Sequence, residues 1–565
     1  MASRTVGSLL FLAMFGFVAA GPAAAQSFQI QCPTSTITHP DTTGPQLLNS
    51  AEPAYTGPTT FSMGPGGYLA PTGKVNGAIK CQQISGGDGF ATMGDGTQTY
   101  LFAFGPLSGL SNIANGQPGT VFPHEFNGLF PGTLMPGDPA TANLLTANSW
   151  PGGFPNSALP TGGFNWNGAV GLTQDLDCLA EPACATTIPS NGIDGHVDPR
   201  PIMDVGVMNG NIPAPLMAVD EDDEFFLTLT NVGQVMRPDL FEQHTVHWHG
   251  YPNASAFYDG VPDASVAINI GGSFTYYYLA ADAGTYFWHC HITPPEHLQM
   301  GMVGQLYVRP RQNRWTQGAV YAGLVAQQGD LRTACRRPLD SVLPTVGASP
   351  DILCSNPLPA APGSGPNASN DGTKKYAYND GDGSTQYDVE YPLQIHGFDP
   401  NFHFVGMTFN PEGFTEMKDK YFLLNGRSYP DTVTPGPLMT QTTDGLVHFS
   451  QPLPSIITIP AGRRALLRIS SLDVTEFQTL ASLGIPMQVI ALNAKLLRDQ
   501  GGNNLYYTTN SITLGGGESL DVILDASDTK YQPGQVFYLY TSNLDHLSND
   551  AENFGGLMTE VRIVQ

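Results

Sequence analysis

Cys290 stands between His289 and His291 at the end of the aromatic run GTYFWHCH, and His297 and Met302 follow in the loop beyond it. A second cluster upstream, HTVHWHG, supplies His244, His247 and His249. Nearly half of the chain's 13 histidines fall in this one stretch. Side chains alternate along a strand, so Cys290 faces one way and both of its histidine neighbours the other. The thiolate can then hold one metal while His289 and His291 hold another. A cysteine, two imidazoles (His244 and His297) and a weak thioether (Met302) are the donor set of a redox copper whose potential the axial ligand tunes. His247 and His249, two apart, share a face as His289 and His291 do, so four imidazoles can converge on a second copper site. A sulfur-to-backbone-to-histidine path would join the two.

These motifs resemble the ligand signatures of the multicopper oxidase family, HxxHxHG and HCH followed by H and M, over a region from about Thr97 to Gln565. The resemblance implies that His244, Cys290, His297 and Met302 are type 1 copper ligands. It implies His247 at a type 2 copper and His249, His289 and His291 at a type 3 pair, with Cys290, His289 and His291 as the catalytic electron path. Met302 rather than Met300 has the histidine-plus-five spacing of known blue-copper loops. Copper nitrite reductases are the nearest alternative, but they place an aspartate where this chain has His247 and no histidine at the position of His291. A blue electron-transfer protein with only the type 1 site filled is the other reading.

Positioning these side chains takes strands. EFFLTLT and SFTYYYLA alternate apolar and polar residues as half-buried strands do. The low charged fraction and the 65 glycines and 47 prolines fit an all-β protein with long loops. With the resemblance, the expected fold is a tandem of cupredoxin-like Greek-key β-barrels or sandwiches. Residues 1–25 read as a signal peptide, with Arg4, an apolar run and a small-residue cleavage site before Gln26. Residues 26–95 read as an N-terminal extension and 96–310 as the copper-binding domain, carrying a loop insertion over about 106–202. Residues 311–386 read as a linker and 387–565 as a second cupredoxin-like domain. Aligning GTYFWHCH with GQVFYLYT at Gly534, and HTVHWHG with QTLASLG at Gln478, replaces every ligand in that second domain.

A full trinuclear cluster in the family takes eight histidines, and this pattern supplies four. His396 and His403 are the weaker candidates for the remainder, from a neighbouring copy. Alternatively, two first domains meet about a two-fold axis. A homo-oligomer, dimer or trimer, is therefore expected.

The formal net charge of −25 argues against nucleic acid or anionic membrane as partner. Beyond the signal, no apolar run approaches the roughly 18 residues that span a bilayer. Export to a periplasm or the cell exterior suits the seven cysteines. Local spacing pairs Cys32 with Cys81, Cys178 with Cys184 and Cys335 with Cys354, one of fifteen possible sets, and leaves Cys290 free. The electron donor, a small molecule or a metal ion, is left open, with oxygen as acceptor.

Overall fold

The computed structural model describes residues 78–109, 209–313 and 374–565, with short gaps inside the last two, and a few residues before 121. The signal peptide, most of the insertion and linker, Cys178, Cys184, Cys335, Cys354, His39, His124 and His196 lie outside the described residues. Their regular elements are almost all strands, arranged in two β-sandwiches of the same topology.

The first sandwich contains β1 (Ile79–Thr92), β2 (Gln98–Pro106), β3 (Met217–Asp220), β4 (Glu224–Gly233), β5 (His247–Trp248), β6 (Ser273–Leu279), β7 (Gly284–His289) and β8 (Val303–Arg309). One sheet runs β2-β1-β4-β6 and the other β3-β8-β7-β5. A short helix, α1 (Pro294–Gln299), lies between β7 and β8. The second sandwich contains β9 (Val389–Phe398), α2 (Pro400–Gly406), β10 (Tyr421–Leu424), β11 (Ile457–Pro460), β12 (Arg464–Ser471), β13 (Gln478–Leu483) and β14 (Met487–Leu492). It continues with β15 (Ser511–Leu514), β16 (Ser519–Asp525), β17 (Val536–Tyr540) and β18 (Met558–Val564). Its sheets run β10-β9-β12-β16-β14 and β11-β18-β17-β13-β15. The parallel pairs β1 with β4 and β3 with β8 recur as β9 with β12 and β11 with β18.

Period-two patterning explains the layers. In β2, Tyr100, Phe102 and Phe104 enter the first core, while Leu101 and Ala103 face the second sandwich with Phe398, Tyr421 and Leu423. In β4, Phe225, Leu227 and Leu229 point inward. On its other face Thr228 and Thr230 bond Thr275 and Ser273 of β6 at 2.8 and 2.7 Å, so no buried hydroxyl there lacks a partner.

Strand β1 lies within the segment expected to be an extension, yet it is an inner strand of the first sheet, paired on both sides. Its sequence IKCQQISGGDGFAT hides this, because glycines have low strand propensity and erase the alternation. The glycines are there for close approach: a Cβ on Gly89 would lie 2.0 Å from Gly210 O. Cys32 is bonded to Cys81 in this strand, as local spacing suggested.

The sandwiches dock through β7 and β8. Thr285 donates to Asp521 at 2.6 Å, and Gln305 Nε2 donates to Arg468 O and Ser470 Oγ. Arg309 of β8 and Arg468 of β12 both bond Glu390 of β9, at 2.6 and 3.1 Å. Burial alone would raise the Glu390 pKa, but the two guanidiniums outweigh it and bring it from 4.5 to about 2. The folded value is the lower one, so this contribution is present above pH 4.5 and is lost as pH falls from there toward 2. Over that window stability should drop by about 3 kcal/mol from this group. Glu390→Gln should remove that acid dependence and, by stranding two buried cations, destabilise by about 3 kcal/mol at neutral pH. Chemical denaturation at several pH values checks both.

Candidate metal centre

Strand β5 pairs with β7 in the register His247 with His289 and Trp248 with Trp288. The tryptophans and Cys290 therefore enter the core, and His247, His249, His289 and His291 lie on the opposite face. Two groups of potential ligands result, one on each side of the strand: His244, Cys290 and His297, and His247, His249 and His289.

In the first group the ligand atoms lie within 4.8 Å of one another. His244, Cys290, His297 and Met302 are each 0 % exposed. The His297 Nδ1 is 3.2 Å from Cys290 Sγ, and the Thr245 backbone N–H donates to that sulfur at 3.3 Å. Neither ring nitrogen of His244 has a hydrogen-bond partner. A fully buried imidazole aimed at a thiol with nothing to bond is costly unless another group belongs there. The soft set fits copper. Gly86 of β1 makes the space, since a Cβ there would come 2.7 Å from His244 Cδ2 and 3.2 Å from Met302 Cε. Burial opposes protonation of His297, but the Cys290 sulfur and Glu242 outweigh it and raise its pKa to about 9. Glu242 reaches His297 Nε2 at 3.5 Å from the solvent side, and that contact holds its carboxyl below the ordinary value. Burial, then His297, pushes His244 far down.

In the second group, His249 Nε2 and His289 Nε2 face each other at 2.9 Å. His289 Nδ1 lies 2.6 Å from Cys290 O, and His247 Nδ1 lies 2.6 Å from Asp259 O, which leaves each Nε2 for the cluster. Burial, then His247 and His291, lowers the His249 pKa to about 4, and burial lowers His289 as well, so both are neutral and able to ligate. The His291 ring stands 5.0 Å from that of His247 and 5.5 Å from that of His289, but its nitrogens are not among the converging three. Gly517 of the second sandwich covers the cluster, its Cα so close that a Cβ would be 2.9 Å from His249 Nδ1.

His396 and His403 are not brought to either group. His396 Nε2 is 2.9 Å from Leu298 O, while His403 has Nε2 2.9 Å from Gln299 O and Nδ1 2.6 Å from Tyr100 O. Both are buried inside their own chain and turned toward carbonyls.

The second sandwich keeps the outline of the first group. Met302 N–H donates to His297 O, and Cys290 N–H to Met302 O; likewise Leu557 N–H donates to His546 O and Thr541 N–H to Leu557 O. Thr541, His546 and Leu557 thus occupy the places of Cys290, His297 and Met302. Gln478 stands for His244, with Oε1 3.0 Å from His546 Nδ1, and Glu476 reaches His546 Nε2 at 3.3 Å, as Glu242 does His297. Aligning the two sequences on Gly284 and Gly534 put Tyr540 opposite Cys290, one residue off. The glycines mislead because β7 begins at Gly284 whereas β17 begins two residues after Gly534. His546, Glu242, Thr245 and Gly86 were missed from sequence; a search for histidine six residues after β17 would have found the first.

Residues 195–313 match the family model described as multicopper oxidase. Over 112 residues the chain is 35 % identical to multicopper oxidase MCE of Talaromyces pinophilus, covering 20 % of this chain and 17 % of that one. Over 131 residues it is 32 % identical to multicopper oxidase MmcO of Mycobacterium tuberculosis, covering 22 % and 24 %. The chain thus spans a quarter or less of the length of these relatives. Among solved structures it resembles a blue copper oxidase from Nitrosomonas europaea at 22 % identity and a TM-score of 0.39, over 63 % of this chain and 78 % of that one.

Gly86→Ala should crowd His244 and Met302 and weaken copper binding by about tenfold, measured by competition with a chelator. The combined change Gln478→His, Thr541→Cys and Leu557→Met should rebuild a ligand set in the second sandwich and raise the bound copper by one per chain.

Proposed function

We propose, from the multicopper oxidase domain formed by residues 195–313, that this chain is an exported copper-dependent oxidoreductase. It would take electrons singly from a small-molecule or metal-ion donor and pass them to oxygen. One observation carries the reading: Cys290 and His289 are neighbours on one strand, yet belong to two ligand groups on opposite faces.

His244, Cys290, His297 and Met302 would hold the type 1 copper, and His247, His249, His289 and His291 the type 2 and type 3 coppers. Copper bound there would supply one-electron redox chemistry. Phe102, Trp248 and Trp288 keep water from the thiolate side. Glu242, at the solvent edge of His297 Nε2, is placed to accept a proton from a donor as it is oxidised. His289, donating Nδ1–H to Cys290 O, ties the two groups by a hydrogen bond as well as by the chain. Thr245 does the same from the other strand: its N–H bonds Cys290 Sγ and its Oγ1 accepts the His291 N–H at 2.9 Å.

His396 and His403 are engaged elsewhere, which favours completion of the histidine cluster by the first domain of a second copy rather than by its second domain. The Cys32–Cys81 bond supports export to an oxidising compartment. No helix among the described residues is long and apolar enough to cross a membrane.

The incomplete set of facing histidines also supports a second reading, a blue electron carrier without oxygen chemistry. Copper content, visible spectrum and oxygen uptake of wild type, Cys290→Ser and His249→Ala separate them. Cys290→Ser should lose the blue band and all turnover. His249→Ala should keep the band and lose oxygen uptake. A wild type with about one copper per chain and no oxygen uptake would establish the carrier.

A further inference from the structure

His297 and Met302 are carried by a loop with little regular structure of its own. Its only regular element is α1, six residues long, entered through Thr293 in a left-handed conformation (φ 37°). So short a helix is marginal by itself. Leu298 O accepts the Gly301 N–H at 3.0 Å, and the helix, ending there, offers its last carbonyls no further turn. A thioether binds copper weakly and at long range, so the backbone rather than the metal decides where Met302 stands.

The partners come from the second sandwich. His396, whose place on β9 is fixed by pairing with Leu423, sets Nε2 2.9 Å from Leu298 O. His403 in α2, stacked on Phe398 at 3.7 Å, sits between Gln299 O and Tyr100 O, 2.9 Å and 2.6 Å from its ring nitrogens, and donates its single N–H to one of them. The fully buried Gln299 side chain donates to Asp419 Oδ1 at 2.9 Å and accepts the Asp399 N–H at 3.1 Å. Contacts from His396, His403, Asp399 and Asp419 thus converge on the two residues that directly follow His297.

We propose that His396, with His403 and the Gln299–Asp419 pair, is a positioning residue for the type 1 site. The ligandless second sandwich clamps the α1 loop and thereby sets how His297 and Met302 stand against Cys290. This rests on the copper reading above, but only for the spectroscopic half of its test.

In the full-length, copper-loaded protein, His396→Phe should shift the reduction potential and the visible band ratio of the blue site, and speed copper loss to a chelator by about tenfold. In the copper-free protein the amides of residues 299–302 should exchange faster with deuterium. His396→Gln, whose amide can donate from the place of Nε2, should restore both. If His396→Phe does not fold, Gln299→Met cuts the side-chain bonds from the loop's own side and should give the same shifts. A variant with wild-type potential, band ratio and loop exchange would overturn the clamp. A wild type without any blue band would overturn the copper reading instead, and amide exchange would still decide the clamp.

Discussion

The two-residue period of a strand is the constraint on which this molecule turns. In β7 it sends Trp288 and Cys290 into a dry aromatic core and His289 and His291 to the opposite face. One strand end therefore serves two sites of opposite character. The inner one is fully buried and supplies a soft sulfur. The outer one is a set of imidazoles, of which His249 and His289 are kept neutral by burial and by neighbouring rings. Sliding β7 against β5 by one residue would exchange every one of these side chains between faces. The pairing of Trp248 with Trp288, packed 5.4 Å apart, opposes that slip.

The second sandwich makes sense as a duplicate that has changed occupation. It retains the sheet order, the parallel pairs and the hydrogen bonds of the α1 loop, with Gln478, Thr541, His546 and Leu557 in the places of His244, Cys290, His297 and Met302. His546 there is held by Gln478 and stacks on Phe422 at 3.7 Å. Without that donor set, this sandwich is used against the first. Its β12 and β16 anchor β7, its Gly517 turn covers His249, and its β9 and α2 reach the α1 loop. The charged contacts in that interface are buried, so removing any one partner would strand the others.

How much was legible in the sequence depended on how far each feature reaches along the chain. The HCH triplet, the HxH pair and the spacing to His297 and Met302 are local, and local spacing decides which side of a strand a residue takes. The all-β class and the duplication were legible for the same reason, through alternation in EFFLTLT and SFTYYYLA and the echo of β7 in β17. The sequence by itself thus determined which residues gather on each face of β7.

What it could not determine was who meets them from afar. Strand β1 reads in the sequence as part of an extension because its glycines carry no pattern, although Gly86 is what admits His244 and Met302. His396 and His403 read in the sequence as candidate ligands because they are histidines, yet their nitrogens face the carbonyls of residues about a hundred positions away. Only tertiary structure decides such contacts. A histidine's role is fixed by what lies within 3 Å of its two ring nitrogens, and no spacing in the chain encodes which carbonyl the fold will bring there.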